Sequence, residues 1–269
     1  MATRSDRSRT AIGGFDWLTV ALVLGGVLCL YYLAPLVSLF LSVPSTALLD
    51  ALGDPAVVSA ASTSLVSASV STALATVFGL PLAYWLARSE ARWKNAVLAI
   101  VVLPLVLPPT VSGLVLLTVI GPNAPIGAFA VATGMPLTRS LAGIVLAQTF
   151  VASPFVVVTG KAAFEGVDRT LEHASRSLGK GRWTTARRVT LPLAAPGILA
   201  GVTLVFARAM GEFGATVMVA YYPQTMPIEV WDAFLEGGLD GAYPVAIVLV
   251  VVSIAALVVL NTVASNPWE

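Results

Sequence analysis

Few residues in this 269-residue sequence could do covalent or metal chemistry. The sequence holds one histidine, His173, and one cysteine, Cys29, and this pair cannot build a metal cluster. The serines between Ser59 and Ser71 have no histidine near them in sequence to act as a base. The motif Gly-x-x-x-x-Gly-Lys-Ser/Thr, which would cradle the phosphates of ATP, does not occur. The residues therefore predict a protein that is not an enzyme and that has no metal site or cofactor of its own.

One oppositely charged pair, Arg208 and Glu212, stands in an apolar stretch at a spacing of four residues, so both side chains share one helix face. Charges in apolar surroundings are costly and face protein or water. In one interpretation, Arg208 attracts a passing anion and Glu212 limits how long the anion stays. In the other, which we favour, the charges neutralise each other and fix helix packing, because a strongly attractive charge would trap an anion.

The surrounding composition is that of a membrane protein. Hydrophobic residues make up 57% and charged residues 11% of the chain, about half the charge of a soluble domain. Crossing the hydrocarbon core takes roughly 20 helical residues, and runs without a charged side chain reach that length repeatedly. They predict an all-α, polytopic protein with six transmembrane helices, at 17–42, 56–87, 96–119, 138–160, 194–220 and 241–262.

Basic residues give the expected orientation. Thirteen of the 15 lysines and arginines fall before the first span, between the second and third, or between the fourth and fifth. The positive-inside rule then places both termini in the cytoplasm. We expect residues 1–16 to be a cytoplasmic segment and 17–269 to be the transmembrane domain of a multi-pass cell-membrane protein. The net charge of +1 does not suggest a nucleic-acid partner.

The third predicted span contains three prolines, Pro104, Pro108 and Pro109. Prolines remove backbone donors and kink or break helices, so irregular backbone is expected there. A packing kink is favoured over a functional gate.

The longest hydrophilic segment is the loop 161–192. Asp168 is a suitable N-cap and Gly179 a suitable stop for a short helix. An apolar stripe at helical spacing follows from Leu171, Ala174 and Leu178. A second helical piece is expected over 182–191, ending at Pro192.

The outer face of this hairpin is expected to be polar and basic, with Glu172 among its few acids. Attraction to anionic membrane lipid would explain the charge. It would not explain a capped helix with an apolar stripe, which better fits a groove on another protein.

A further amphipathic helix is expected over 225–238, ending at Gly237 and Gly238. We favour an interfacial anchor for it, since Trp231 suits that depth. Its acids, Glu229, Asp232 and Glu236, could instead meet a substrate-binding protein.

The loop also carries a specific resemblance. The run from His173 to Gly179, followed after nine residues by Val189-Thr-Leu-Pro192, resembles the "EAA" loop of ABC-importer permease subunits. The glycine spacing and the Leu-Pro ending match, whereas His173 stands where that family has Glu. In the family this loop docks into a cleft of the ATPase subunit.

Other segments resemble the molybdate/tungstate and sulfate branch of these permeases, namely 107–113, 208–215 and 220–227. The resemblance implies a type I permease fold and import of molybdate or tungstate. A sulfate/thiosulfate permease and an ATP-independent anion carrier are the alternatives. The implied partners are a second copy of the chain, two ABC ATPase subunits that bind ATP and Mg²⁺, and an extracytoplasmic oxyanion-binding protein.

The resemblance also implies which residues perform these roles. Those expected to couple to the ATPase are Asp168, Leu171, Glu172, His173, Ala174, Ser175, Leu178, Gly179, Arg182, Val189, Leu191 and Pro192. Those expected to line the translocation pathway are Pro108, Pro109, Thr110, Ser112, Arg208, Glu212 and Phe213.

Overall fold

The computed structural model describes residues 17–265, and every regular element in that range is helical. The N-terminal segment expected at 1–16 and residues 266–269 lie outside the described residues. The chain divides after Pro44 into two compact units. The first contains α1, Trp17–Leu41, which reproduces the first predicted span.

The second unit contains the remaining helices. These are α2 (Ser45–Gly53), α3 (Pro55–Arg88), α4 (Lys94–Val106), α5 (Pro109–Ile120), α6 (Pro125–Ala132), α7 (Leu141–Glu165), α8 (Arg169–Ser177), α9 (Arg182–Thr185), α10 (Leu191–Met210), α11 (Gly214–Val219) and α12 (Met226–Ser265). A π-helical turn, Ala186–Thr190, joins α9 to α10.

Helices α3, α7 and α10 pack together and build the main core. Small residues permit the close approach: a Cβ on Gly201 of α10 would lie 2.0 Å from the Oγ1 of Thr159 on α7. Core side chains buried between these helices include Leu86, Val156, Phe164, Ile198 and Val205.

Within residues 17–265, five helices are long and apolar enough to cross a membrane, and a sixth span results if the bent pair α4 and α5 is counted as one. This agrees with six predicted spans, and the third, expected over 96–119, is broken where its prolines predict irregular backbone. The axis turns by 119° between α4 and α5. Leu107 and Pro108 are extended there, because a residue before proline avoids the helical region and neither Pro108 nor Pro109 can donate a backbone hydrogen bond.

Two other predicted spans differ in their bounds. The fifth, expected over 194–220, ends at Met210, and α11 follows after a break at 211–213. The sixth, expected over 241–262, belongs to α12, which starts at Met226 and is interrupted at Gly238 with φ 63° and ψ −148°. Glycine adopts this left-handed conformation without steric cost. The interruption confirms the predicted end of the amphipathic helix over 225–238.

Candidate coupling surface and translocation pathway

The helix α8 starts and stops where local chemistry dictates. The Asp168 Oδ1 accepts a hydrogen bond from the Thr170 N–H at 2.8 Å, which caps the helix and lowers the pKa of Asp168 below its usual value. At the other end Gly179 has φ 78°. The N–H groups of Gly179 and Lys180 bond to the carbonyls of Arg176 and Ser175, forming a Schellman cap.

The apolar stripe of α8 faces away from the protein. Leu171 is 47% and Leu178 80% exposed, and Ala174 between them is also exposed. Ordinary amphipathic helices turn this face toward their own core. An apolar face left outward is typical of a surface that another molecule covers. His173, the residue that departs from the EAA pattern, is exposed too.

Glu172 points inward, which corrects its expected place on the outer face. It is only 4% exposed, and its Oε1 accepts hydrogen bonds from the Arg88 Nη2 at 2.7 Å and the Thr190 Oγ1 at 2.8 Å. Arg88 also donates to the carbonyl of Val167 at 3.2 Å. Burial acts to raise the pKa of Glu172, but the hydrogen bonds from Arg88 and Thr190 outweigh it and hold this pKa below its usual range.

The second arm of the hairpin does not end at Pro192, as the sequence predicts, but continues into the membrane. Residues Arg182–Met210 form one helical span with Pro192 inside its length. Proline has no N–H for the usual helical bond, and the π turn adapts the backbone just before it: the Leu191 N–H bonds to the Ala186 carbonyl, five residues back. Arg182 is exposed and Val189 half-buried in this arm, and a Ser175–Thr185 hydroxyl contact of 3.0 Å joins it to α8.

The charged pair lies at the broken end of α10. The Arg208 Nη2 is 2.5 Å from the Glu212 Oε2, although the helix itself ends at Met210. The Glu212 Oε1 also accepts the N–H of Ala215 at 2.7 Å, at the start of α11. The Glu212 side chain is 1% exposed, whereas 27% of the Arg208 side chain is exposed. The carboxylate is thus enclosed, and the Arg208 side chain is partly open.

The two predicted pathway segments meet, because α5 and α11 pack closely. A Cβ on Gly214 would lie 2.7 Å from the Cβ of Pro109 and 3.0 Å from the N of Thr110. A Cβ on Gly113 would lie 2.9 Å from the Ala215 carbonyl oxygen. The broken backbones of the third and fifth spans are therefore in direct contact.

The other side chains of this region differ in exposure. Pro108, Pro109 and Thr110 are exposed, and Ser112 is buried. The ring of Phe213 lies 5.9 Å from that of Trp231 on α12. Every residue expected to line the pathway thus lies on or beside the two breaks.

A buried polar network that no sequence motif predicts holds the end of α10. The Gln148 Nε2 donates to the Ala209 carbonyl at 3.0 Å, and the Ser71 Oγ donates to the Gln148 Oε1 at 3.0 Å. The network joins α3, α7 and α10 next to Arg208. Gln148 itself was the signal in the sequence: it is an amide side chain in an uncharged, apolar stretch, and a buried amide needs hydrogen-bond partners.

The opposite end of α3 carries acids rather than arginines. A cavity of about 640 Å³ beside its N-cap, Asp54, is lined by Asp50, Asp54, Glu229, Asp232, Glu236 and Asp240. The Tyr221 hydroxyl donates to Asp232, and this hydrogen bond raises the pKa of Tyr221 to about 12. The two ends of the bundle therefore differ strongly in charge.

Apolar spans, two broken helices in contact and an outward-facing amphipathic hairpin define a multi-pass membrane transport subunit. Residues 79–266 match the family described as the binding-protein-dependent transport system inner membrane component. The chain belongs to this family, as the EAA-like loop implies.

Relatives match along nearly the whole chain. A probable molybdenum ABC transporter permease protein of Haloferax volcanii is 53% identical over 99% of this chain and 97% of its own length. A molybdate/tungstate transport system permease protein of Thermococcus kodakarensis is 35% identical over 88% of this chain and 92% of its own. A molybdenum transport system permease protein of Mycobacterium tuberculosis is 40% identical over 76% and 78%.

Solved structures show the same fold at low identity. A bacterial ABC transporter that imports the polysaccharide alginate matches with a TM-score of 0.70 and 17% identity, over 94% of this chain and 97% of that chain. The inward-facing methionine ABC transporter matches with a TM-score of 0.62 and 20% identity, over 79% and 96%. The type I permease-like fold implied by the sequence is confirmed.

Proposed function

We propose that this chain is the membrane-spanning permease subunit of an ATP-driven importer of molybdate or tungstate. The relatives described above are named for molybdenum, molybdate or tungstate, and this supports these oxyanions over sulfate or thiosulfate. ATP and Mg²⁺ bind to a separate ATPase, because this sequence has no P-loop motif.

The observation that carries the proposal is the orientation of α8. Its apolar stripe is exposed while the charged Glu172 is buried. An amphipathic helix that packs on its own protein normally buries its apolar side and exposes its charged side. A short helix with this face outward fits a groove on a partner protein. We assign this groove to the ATPase subunit and the hairpin end of the bundle to the cytoplasm.

Force on the hairpin has two routes into the membrane. One runs through the Arg88–Glu172 ion pair into α3, and the other runs along the helical span Arg182–Met210 toward the charged pair. Two copies of the chain would pair around one pathway with two ATPase subunits. An external binding protein would deliver the anion at the opposite, acidic end.

The contact of α5 with α11 is the proposed pathway wall. The partly exposed Arg208 offers positive potential to an oxyanion, and Glu212 beside it neutralises most of that charge. The residual attraction is weak, which suits a pathway that must release its cargo.

Reconstituted uptake tests the proposal. The chain is co-purified with an ABC ATPase subunit from its own source, placed in proteoliposomes with an oxyanion-binding protein, and supplied with ATP and labelled molybdate. We expect ATP-dependent uptake that excess tungstate suppresses and excess sulfate does not. Uphill uptake by the chain without an ATPase would instead support the anion carrier, and suppression by sulfate would support the sulfate permease.

A further inference from the structure

A second cavity, of about 740 Å³, opens beside the hairpin. We propose that it binds an anionic phospholipid, with the phosphate at its arginines and an acyl chain along its apolar wall. This proposal does not depend on which anion the protein transports or on an ATPase.

The cavity has one charged edge. Arg88, Arg176 and Arg182 line it, and no acidic side chain is among the described residues that do so. Arg88 is neutralised by Glu172, but Arg176 is 3.9 Å from that carboxylate and its side chain is 37% exposed. Arg182 is exposed, and no ion pair of it occurs in the described part of the chain. Guanidinium groups bind phosphate in a forked, bidentate manner, so Arg176 and Arg182 suit a phosphodiester.

The remaining wall is apolar and reaches into the membrane. It consists of Leu80, Pro81, Tyr84, Phe164, Trp183 and Leu191. Leu80 precedes Arg88 by eight residues on the same helix, so the wall extends about 12 Å from the charged edge at 1.5 Å per residue. A free phosphate would contact only the arginines and leave this apolar wall uncovered. A phospholipid would cover both the arginines and the apolar wall.

The position along the bundle matches a headgroup. The spans α3 and α7 end at Arg88 and Glu165, and the next span begins at Arg182, so all three meet the membrane surface here. Trp183 is 76% exposed at this level, where tryptophan is enriched in membrane proteins. Basic pockets between transmembrane helices commonly hold anionic headgroups.

The site touches both arms of the hairpin. Arg176 belongs to α8, while Arg182, Trp183 and Ala186 belong to the second arm. A bound lipid would bridge the arms and restrain α8 against the start of α10.

Lipid titration of the purified full-length chain tests the site. Native mass spectrometry would compare phosphatidylglycerol with phosphatidylcholine for the wild type, for Arg176→Gln/Arg182→Gln, and for Arg169→Gln. Arg169 is on the same loop, loses the same type of charge, and does not line the cavity. An arginine in contact with an anionic headgroup contributes about fivefold in lipid affinity, so loss of both cavity arginines should weaken phosphatidylglycerol binding roughly 25-fold. Arg169→Gln should bind within about twofold of the wild type.

Several results would overturn the proposal. Equal binding of the two lipids by the wild type would remove the headgroup selectivity. A double variant that binds like Arg169→Gln would remove the arginines from the site. Competition by inorganic phosphate would indicate a phosphate site rather than a lipid site. Thermal unfolding in phosphatidylcholine checks that both variants are folded. We expect matching curves, because the substituted residues Arg169, Arg176 and Arg182 are exposed.

Discussion

The guanidinium of Arg88, at the last turn of α3, holds the carboxylate of Glu172, in the first turn of α8, at 2.7 Å. The two side chains are 13% and 5% exposed. Water therefore screens this pair little, and it fixes a short surface helix to a long membrane helix.

Glu172→Ala should detach α8. Removing one partner of a buried pair leaves an uncompensated charge, at a cost of about 3–5 kcal/mol. We expect faster proteolysis within 168–180 and a lower Tm of the purified chain. Glu165→Ala is the matched control, because Glu165 forms an exposed pair with Lys161 that contributes only about 0–1 kcal/mol. Equal effects of the two substitutions would contradict a specific anchoring role.

Acid should weaken the same anchor. The pKa of Glu172 is below its ordinary value of 4.5 in the folded protein, so its stabilising contribution is complete above that value. The contribution is lost as pH falls through the lower, folded pKa. Thermal unfolding of the wild type between pH 7 and pH 3 should therefore show a loss that Glu172→Gln lacks. Parallel curves for the two proteins would argue against this titration.

Leu171→Asp should uncouple ATP hydrolysis from uptake. The side chain is 47% exposed in the free chain, so the substitution leaves folding intact but places a charge in the proposed ATPase groove. Co-purification of the ATPase should fall at least about tenfold, since an unpaired buried charge costs several kcal/mol. Ser177→Asp adds the same carboxylate at an exposed position of α8 outside the apolar stripe and should have little effect. Normal ATPase retention by Leu171→Asp would count against the docking surface.

Arg208→Gln/Glu212→Gln separates a pathway role of the charged pair from a packing role. Replacing both partners avoids an isolated buried carboxylate. If Arg208 guides the anion, uptake falls at least about tenfold while the Tm and the basal ATPase rate hold. Uptake at the wild-type rate in this variant would remove Arg208 from the pathway.

Gly214→Ala should disturb the contact between the two broken spans. The new methyl group would lie 2.7 Å from the Cβ of Pro109, and overpacking of this kind costs about 1–3 kcal/mol. Gly237→Ala is the control, since nothing lies within 4 Å of its Cβ position. We expect a lower Tm and slower uptake only for Gly214→Ala, and unchanged values would contradict the close packing of α5 and α11.

Local signals in the sequence were sufficient for several features. The cap at Asp168, the stop at Gly179 and the break at Gly238 follow from residues adjacent to them. The uncharged runs located the spans, because an apolar segment of about 20 residues has few other stable environments.

Features that depend on distant partners were not predictable in this way. Glu172 was expected to face outward because its partner, Arg88, is 84 residues away in sequence. The prolines indicated irregular backbone in the third span but not the size of the turn at Pro108. The prediction that the second arm ends at Pro192 was wrong, because a π turn accommodates a proline that an ordinary helix would not.

That π turn also sets the angular register of the span that follows it. It inserts one residue beyond the usual helical repeat, and each residue of a helix advances the side-chain direction by about 100°. A regular helical wheel drawn from Arg182 through Met210 therefore places Arg208 on the wrong face of the helix. Deleting one residue from 186–190 would rotate α10 about its axis relative to α9. A deletion in a surface loop would only shorten the chain.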